Sequence, residues 1–427
     1  MKLEVEVISK QIIKPSSPTP HELCHYQLSS LDQSNLPVYN HLVLFYPTKS
    51  DVQIEYIKNI LDHLKLSVSK ALTYFYPLAG RIKDNLFVDC NDEGISFMEA
   101  QVKCRLSDFL QSPVPKELNK LFPFALDDAA ELPMGIQFNT FACGGIGIGL
   151  CISHKIGDAL SYFTFLNTWA AIARGDQKNI VLPEFVSAKL FPPRIISLPE
   201  PEVDTNQKNI ATKRFVFSAS KIEEIRAKYT DSGSLENQKK RPSRIEALSA
   251  FIWSRFIAAT KEISSSDSFY TIIHTVNLRT RFEPPLPNQS FGNIYGAAIT
   301  IPSREKDCDN LVSQMRDSIR KIDKEHVRKL QVGEDLFDSI NEGDESFNKG
   351  EKVPFIFTSL CRFPLYEADF GWGKPIWVSS ASLRTKNLVV FMDTASGDGI
   401  EVWINLTEED MAAFGSDEEL LAAARSC

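Results

Sequence analysis

The feature of this sequence that most constrains its fold is a strand that passes directly into a helix. Ile146, Ile148 and Leu150 alternate with small residues, which predicts a buried strand. Apolar side chains then recur at helical spacing from residue 159 to residue 174, and Gly175 is the predicted stop of that helix. A side chain in the turn between the two elements therefore lies at the edge of a rigid scaffold.

The turn has the sequence SHKIGD and places His154 four residues before Asp158. A histidine in this position can accept a proton near neutral pH, because its unperturbed pKa is about 6.5. Scaffold edges of this kind often carry catalytic groups. The same residues also fit a structural role, in which Asp158 caps the helix and His154 forms hydrogen bonds at the strand end. The spacing alone leaves both interpretations open.

Composition narrows the class of partner. The 427 residues suffice for two domains, and their net charge of −8 argues against nucleic acid as the main partner. No apolar run approaches the ~18 residues of a membrane span, and the N-terminus lacks the apolar core of a signal peptide. The eight cysteines show neither a CxxC pair nor metal-ligand spacing. We therefore expect a cytoplasmic protein without a bound metal.

A proline-rich stretch of little periodicity divides the chain. Residues 191–212 predict a crossover linker between a first half, 1–190, and a second half, 213–427. Strands and helices are intermixed in both halves, which indicates a two-domain α/β protein with mixed sheets.

Local patterns give more specific expectations. Helices are predicted over residues 54–72, 219–228, 244–260 and 313–330. One hairpin is predicted where NDEG separates LFVDC from ISFMEA, and another where TASGDG separates NLVVFMD from GIEVWINL. The polar stretch INEGDESFNKGEKV predicts a mobile loop.

A set of motifs resembles the plant BAHD acyltransferases, enzymes that move an acyl group from coenzyme A to an alcohol or amine. FYPLAGR, SHKIGD and DFGWG follow one another in that family's order and at its spacing. KPSSPTP, LSSLDQ, VDCNDEG, VNLRTRFEPPLP and FGNIY also fall at the family's usual places. The resemblance covers nearly the whole chain and is closest to a branch that acetylates alkaloid hydroxyls, while related branches acetylate diterpenoids and sugars.

The resemblance implies two similar domains of the chloramphenicol acetyltransferase type, with a solvent channel between them and a segment near 355–385 that packs with the first domain. It also implies a monomer that uses acyl-CoA, with acetyl-CoA favoured, and a small-molecule alcohol. His154 would take the proton of the alcohol as its oxygen attacks the thioester. The histidine would then return the proton to the leaving thiolate, without a metal or a covalent intermediate.

Supporting roles are implied for two further motifs. Asp158 would point away from the substrate and pair with Arg279, with Arg281 as the second choice, to hold the histidine loop. In DFGWG, two glycines would permit tight backbone geometry and two aromatic residues would supply buried surface. The residues of this structural motif are Asp369, Phe370, Gly371, Trp372 and Gly373.

Coenzyme A needs cationic or backbone donors for its phosphates, and the starts of elements in the second half offer them. The candidates are Lys213, Arg214, Ser243 and Arg244.

The acceptor pocket is less constrained. By resemblance, Tyr39 or His41 contacts the acceptor, although both residues equally fit a strand that faces the core. The donor to the oxyanion is open, with Asn293 and Thr358 as unassigned candidates.

Other functions fit parts of the sequence. A non-catalytic relative of the same fold would need neither His154 nor coenzyme A. A condensation-type acyltransferase would carry a second histidine and a glycine where this chain has Ser153 and Ala159. Within the family, a longer acyl donor or an acyl-sugar acceptor is the alternative. The intact histidine, aspartate and DFGWG favour the catalytic interpretation.

Overall fold

The chain folds into two compact units. The computed structural model describes residues 1–47, 54–125, 131–194, 209–230, 241–260, 269–302, 310–333, 352–381 and 385–426. The first unit comprises Met1–Pro201 and two later segments, Leu286–Ile294 and Arg362–Ser382. The second comprises Glu202–Pro285, Tyr295–Cys361 and Leu383–Cys427. Two segments from the second half of the sequence therefore fold with the first half.

Strands and helices are intermixed along the chain. The strands are β1 (Val5–Ile13), β2 (His25–Gln27), β3 (Tyr39–Tyr46), β4 (Arg81–Lys83), β5 (Phe87–Asp89), β6 (Ile95–Val102), β7 (Met134–Phe141), β8 (Ile146–Ser153), β9 (Ile210–Phe217), β10 (Phe269–Asn277), β11 (Tyr295–Thr300), β12 (Lys352–Ser359), β13 (Trp377–Ser380), β14 (Leu388–Asp393), β15 (Ile400–Thr407) and β16 (Arg425–Ser426). The α-helices are α1 (Ser30–Ser34), α2 (Ile54–Tyr74), α3 (Leu106–Gln111), α4 (Pro115–Leu118), α5 (Ala159–Ala173), α6 (Ser187–Leu190), α7 (Ala219–Lys228), α8 (Arg244–Thr260), α9 (Leu311–Lys321), α10 (Lys324–Val332), α11 (Glu408–Phe414) and α12 (Glu418–Ala423).

The main sheet of the first unit has the strand order β1-β6-β7-β8-β3-β13, and a small sheet has the order β2-β5-β4. In the main sheet β6 and β7 are parallel, and the other neighbours pair antiparallel. Because β13 belongs to Arg362–Ser382, its pairing with β3 joins that segment to the unit.

The sheet of the second unit has the order β11-β10-β12-β14-β15-β9-β16, in which β12 is parallel to both of its neighbours. One apolar cluster joins this sheet to α8, and it includes Phe215, Phe251, Phe355, Phe391 and Val402. Both units therefore contain mixed open sheets packed with helices, which is the α/β class that the sequence predicts.

The strand that leads to His154 is buried along all eight of its residues. Close packing requires a small residue in this strand, because a Cβ at Gly149 would lie 2.0 Å from the backbone oxygen of Leu121. Helix α5 begins at Ala159 with Asp158 as its N-cap, and it buries Trp169 in the core. The predicted strand, turn and helix are confirmed.

Most local predictions are confirmed where the structure describes them. Helices α2, α7 and α8 cover the predicted ranges, and β14 pairs antiparallel with β15 as the second predicted hairpin. The predicted linker falls largely on residues 195–208 and the predicted mobile loop largely on 334–351, both outside the described residues. None of the helices in the described ranges combines the length and apolar character that a membrane span requires.

Two local predictions are wrong. The hairpin around NDEG does not form, because β5 pairs with β2 and β4 whereas β6 pairs with β1 and β7. The helix predicted over 313–330 is two helices, α9 and α10. Asp323 separates them by capping α10, since its carboxylate accepts hydrogen bonds from the backbone N–H groups of Glu325 and His326.

Two buried histidines predict how stability depends on pH. Burial lowers the pKa of His41 and that of His274 to about 4, so the folded protein holds both rings neutral. In the unfolded chain both titrate near the ordinary value of about 6.5. The free energy of unfolding is therefore highest, with respect to these two groups, above about pH 6.5. It falls as the pH drops from there towards 4, by up to about 3 kcal/mol per ring.

We expect the melting temperature of His274→Gln to depend less steeply on pH between 6.5 and 4 than that of the natural sequence. Scanning calorimetry across this range measures the difference. Parallel curves for the two proteins would contradict the prediction.

Candidate active site

The backbone of His154 is fixed to its neighbours on both sides. The residue directly follows β8, and its N–H donates to the backbone oxygen of Val38 at 2.8 Å, just before β3 begins. The next turn closes with the N–H of Ile156 on the oxygen of Ser153 at 3.0 Å. The imidazole thus projects from a turn held by two adjacent strands of the first unit.

The side chain of His154 is half-buried, and its Nδ1 lies 3.0 Å from Oδ1 of Asn293. Burial lowers the pKa of His154 below its usual value, while hydrogen bonding to its own backbone and the negative charge of Asp158 act in the opposite direction. Because burial is the largest effect, the neutral ring is favoured at neutral pH.

The partners of Asn293 assign the protonation of this ring. Nδ2 of Asn293 donates to Oδ1 of Asp32 at 2.8 Å and to the backbone oxygen of His154 at 2.7 Å. A carboxylate and a carbonyl oxygen can only accept, so the amide must present Oδ1 to the imidazole. Nδ1 of the neutral ring therefore carries the proton, and Nε2 retains a lone pair.

Asp158 binds backbone and hydroxyl donors of the first unit. Its Oδ1 accepts from the N–H and Oγ of Ser161 at 3.0 and 3.1 Å, and its Oδ2 accepts from the N–H of Ile294 at 3.1 Å. Ser161 Oγ in turn accepts from the N–H of Gly292 at 3.0 Å. The carboxylate thus caps α5 and ties the segment 292–294 to it.

Arg279, the expected partner of Asp158, lies in the second unit and is 1% exposed. Its backbone N–H and Nη1 donate to Oδ1 of Asn277 at 3.0 and 3.4 Å. Pairing of Asp158 with Arg279, or with Arg281, stays a prediction.

The DFGWG motif forms a tight loop in the first unit. Oδ1 of Asp369 accepts from the N–H groups of Gly371 and Gly373 at 2.8 and 2.9 Å, and both glycines have positive φ angles of 107° and 111°. Phe370 is buried, packs edge-on against Trp169 at 4.7 Å between ring centroids, and stacks on the half-buried Trp372. These contacts are structural in character and involve no titrating group of the His154 site.

The candidate coenzyme A residues have partners within the second unit. Arg214 is paired with Glu401 at 2.7 Å, and Arg244 with Asp393 at 3.0 Å. The hydroxyl of Ser243 accepts from the N–H of Glu246 at 3.2 Å, as in a capping box.

Lys213 lies on β9 opposite Ile404 of β15. A role for these four residues in binding coenzyme A stays a prediction.

Tyr39 and His41 are both buried in the first unit. The hydroxyl of Tyr39 donates to the oxygen of Leu132 at 2.9 Å, and the two nitrogens of His41 lie 3.1 and 3.3 Å from the oxygens of Tyr39 and Phe124. These contacts favour the core interpretation of both residues, and the acceptor role stays a prediction.

Sequence reasoning does not assign the residues that hold His154. It offers Asn293 only as an oxyanion donor, but both hydrogens of that amide are already donated. It gives Asp32 no role. A local signal does exist, because Ser29 and Asp32 have the spacing of a capping box, which the structure confirms. Among the described residues, no three His, Cys, Asp or Glu side chains are grouped to hold a metal ion.

Comparisons with known proteins give the class of this two-unit α/β fold, and that class is the transferases. The family model described as the transferase family matches residues 3–421. Stemmadenine O-acetyltransferase of Catharanthus roseus is 39% identical over 98% of this chain and 97% of its own. Limonoid 21-O-acetyltransferase of Melia azedarach is 38% identical over 98% of both chains.

Solved structures agree with these relatives. The crystal structure of vinorine synthase superposes with a TM-score of 0.82, at 36% identity and 98% coverage of both chains. The chain belongs to the BAHD family of acyl-CoA:alcohol O-acyltransferases.

The contacts of Asp158 predict that its loss is more costly than that of an ordinary cap. Asp158→Ala removes the cap of α5 and also leaves the N–H of Ile294 without its acceptor. We expect the free energy of unfolding to fall by about 2–4 kcal/mol, measured by urea titration. The matched control is Asp323→Ala, which removes an exposed cap and should cost about 1 kcal/mol. Equal losses in the two variants would refute the clamping role.

Proposed function

We propose that this protein transfers an acetyl group from acetyl-CoA to a hydroxyl of a plant alkaloid or terpenoid, with His154 as the general base. The observation that carries the proposal is the neutral imidazole whose Nδ1 is bonded to Asn293, since this leaves Nε2 as a proton acceptor. The names of the relatives support the donor and acceptor, because they include O-acetyltransferases of stemmadenine and of a limonoid.

The chemistry needs one base that acts twice. Nε2 of His154 takes the proton of the acceptor hydroxyl as its oxygen bonds to the thioester carbonyl carbon. When the tetrahedral intermediate collapses, the C–S bond breaks and Nε2 returns the proton to the thiolate of coenzyme A. The products are the acetyl ester and free coenzyme A, and the enzyme regains its starting protonation state. A positioned base of this kind typically contributes about 10²–10⁴-fold in rate.

The donor to the oxyanion has to come from another residue than Asn293, because the amide hydrogens of Asn293 are committed to Asp32 and to the backbone of His154. Thr358 stays a candidate. Its Oγ1 accepts from Thr275 at 2.9 Å, so its own hydroxyl hydrogen is available to another acceptor.

The alternatives concern the substrates and the presence of catalysis. A longer acyl group or a sugar acceptor would use the same base. A non-catalytic relative would need no proton acceptor at Nε2, so the fixed tautomer of His154 favours an enzyme. Monomeric state and a cytoplasmic location remain predictions from the sequence.

The lowered pKa of His154 predicts the pH dependence of catalysis. Since the neutral ring is the active form, kcat/KM should fall as the pH drops through a pKa below 6.5, and it should be level above that value. Initial rates of acetyl-CoA consumption between pH 4.5 and 8.5 measure the profile, with refolding controls at the acid end. An acid limb centred above pH 7 would contradict the assignment.

His154→Ala tests the base directly. We expect acceptor-dependent release of free thiol from acetyl-CoA to fall at least about 10²-fold. The assay uses a pool of alkaloids, diterpene alcohols and acyl sugars, with product masses read in parallel for the gain of one acetyl unit. The matched control is His25→Ala, which removes an exposed histidine that stacks on Phe87. Turnover by His154→Ala at the rate of the control would overturn the proposal.

A further inference from the structure

A buried carboxylate, that of Asp32, contacts the Asn293 amide whose oxygen faces His154. Asp32 has no exposed surface, and its Oδ1 accepts two hydrogen bonds from Asn293, from the backbone N–H at 2.8 Å and from Nδ2 at 2.8 Å. We infer that Asp32 is a positioning residue for His154, which acts through Asn293 to keep the imidazole proton on Nδ1. The inference rests on the proposed function of His154 as the base.

The cap of α1 involves only one of the two carboxylate oxygens of Asp32. Oδ2 accepts from the N–H and Oγ of Ser29 at 2.9 and 2.6 Å, which closes the capping box of α1, and Ser187 Oγ lies 3.4 Å away. Oδ1 has no part in that cap. Of the three residues that bond to the carboxylate, only Asn293 contacts Oδ1. Capping of α1 therefore does not explain the hydrogen bonds between Asp32 and Asn293.

The N–H groups of Ser29 and Asn293 and Nδ2 of Asn293 all donate to the carboxylate, which favours its ionised, acceptor-only form. Burial raises the pKa of Asp32, and the hydrogen bonds from Ser29 and Asn293 oppose this effect. Lys155 supplies compensating positive charge from within the same unit. Its Nζ is buried and donates to the backbone oxygen of Gln33 at 2.9 Å. Burial lowers the pKa of Lys155 to about 8, and the negative charge of Asp32 opposes this shift.

An amide in place of the carboxylate, as in Asp32→Asn, would disturb this arrangement. The new side chain has one accepting oxygen for two sets of donors, so its NH2 group must face either Ser29 or Asn293. In the second case the side chain of Asn293 turns its own oxygen towards the new donor, and the backbone N–H of Asn293 loses its acceptor. Its Nδ2 then faces Nδ1 of His154, which favours the tautomer with the proton on Nε2.

That tautomer has no lone pair at the reacting nitrogen. The comparable change in a Ser-His-Asp triad, from the orienting aspartate to asparagine, stabilises the wrong tautomer and strongly lowers kcat. In this site the carboxylate contacts the imidazole only through the Asn293 amide, so we expect a smaller loss of kcat.

The test compares Asp32→Asn with Ser29→Ala. Both substitutions weaken the cap of α1, and both should lower the melting temperature. Only Asp32→Asn should lower kcat, by about 10–100-fold, with KM for acetyl-CoA and acceptor changed by less than about threefold. Equal kcat in the two variants would overturn the inference.

A double-mutant cycle separates positioning from folding. If Asp32 acts only through Asn293, Asp32→Asn should lower kcat little further in a protein that already carries Asn293→Ala. A purely structural role predicts instead that the two losses multiply. If Asp32→Asn does not fold, Asn293→Ala alone should reproduce the loss of kcat with the cap of α1 intact, and full activity of that variant would contradict the inference.

The tautomer can be observed without turnover. In protein labelled with ¹⁵N-histidine, the signal of His154 is assigned by its absence from His154→Ala. At pH 8 we expect an unprotonated Nε2 in the natural sequence and protonation of Nε2 in Asp32→Asn. An unchanged tautomer would overturn the inference even if His154 proved to be the base. Should His154→Ala retain turnover, the proposed function fails while this measurement still decides the role of Asp32.

Discussion

The site depends on two buried carboxylates that hold one short segment of chain. The N–H of Asn293 donates to Asp32, and the N–H of Ile294 donates to Asp158. A buried carboxylate or N–H group without a hydrogen-bond partner costs free energy, and these hydrogen bonds avoid that cost for both groups. Because Asp32 belongs to α1 and Asp158 caps α5, these bonds fix the segment against two helices of the first unit. The position of Asn293 beside His154 follows from this attachment.

This arrangement separates the proposed base, His154, from the two buried carboxylates that hold its surroundings. An amide stands between Asp32 and the imidazole, and the carboxylate of Asp158 binds backbone and hydroxyl donors. A carboxylate bonded directly to Nδ1 would favour the protonated ring, whereas the neutral amide oxygen fixes the tautomer with less effect on the pKa. A base that is neutral before each turnover is suited to a reaction in which the proton is taken and then returned.

The sequence predicts those parts of the fold that depend on neighbouring residues. The bounds of α7 and α8, and the strand, turn and helix around His154, follow from apolar periodicity and local capping. The hairpin predicted around NDEG is wrong because the partners of β5 and β6 include strands distant in sequence. The hydrogen bonds between Asp32 and Asn293 escape prediction from the sequence for the same reason, since 261 residues separate the two and no periodic pattern joins them. Both residues lie in motifs that resemble the family, but a sequence motif does not show which residues contact each other.

The central claim is that His154 removes the proton of the acceptor during direct transfer. The test is a single-turnover experiment in which enzyme and acetyl-CoA are mixed with acceptor, for the natural sequence and for His154→Ala. Acetyl-CoA binding is measured separately, and the mass of the protein is followed during the reaction. We predict unchanged binding, a chemical step slowed by at least about 10²-fold in the variant, and no acetylated protein in either case. Transfer by the variant at the natural rate, or an acetyl-enzyme that forms before the product, would contradict the account.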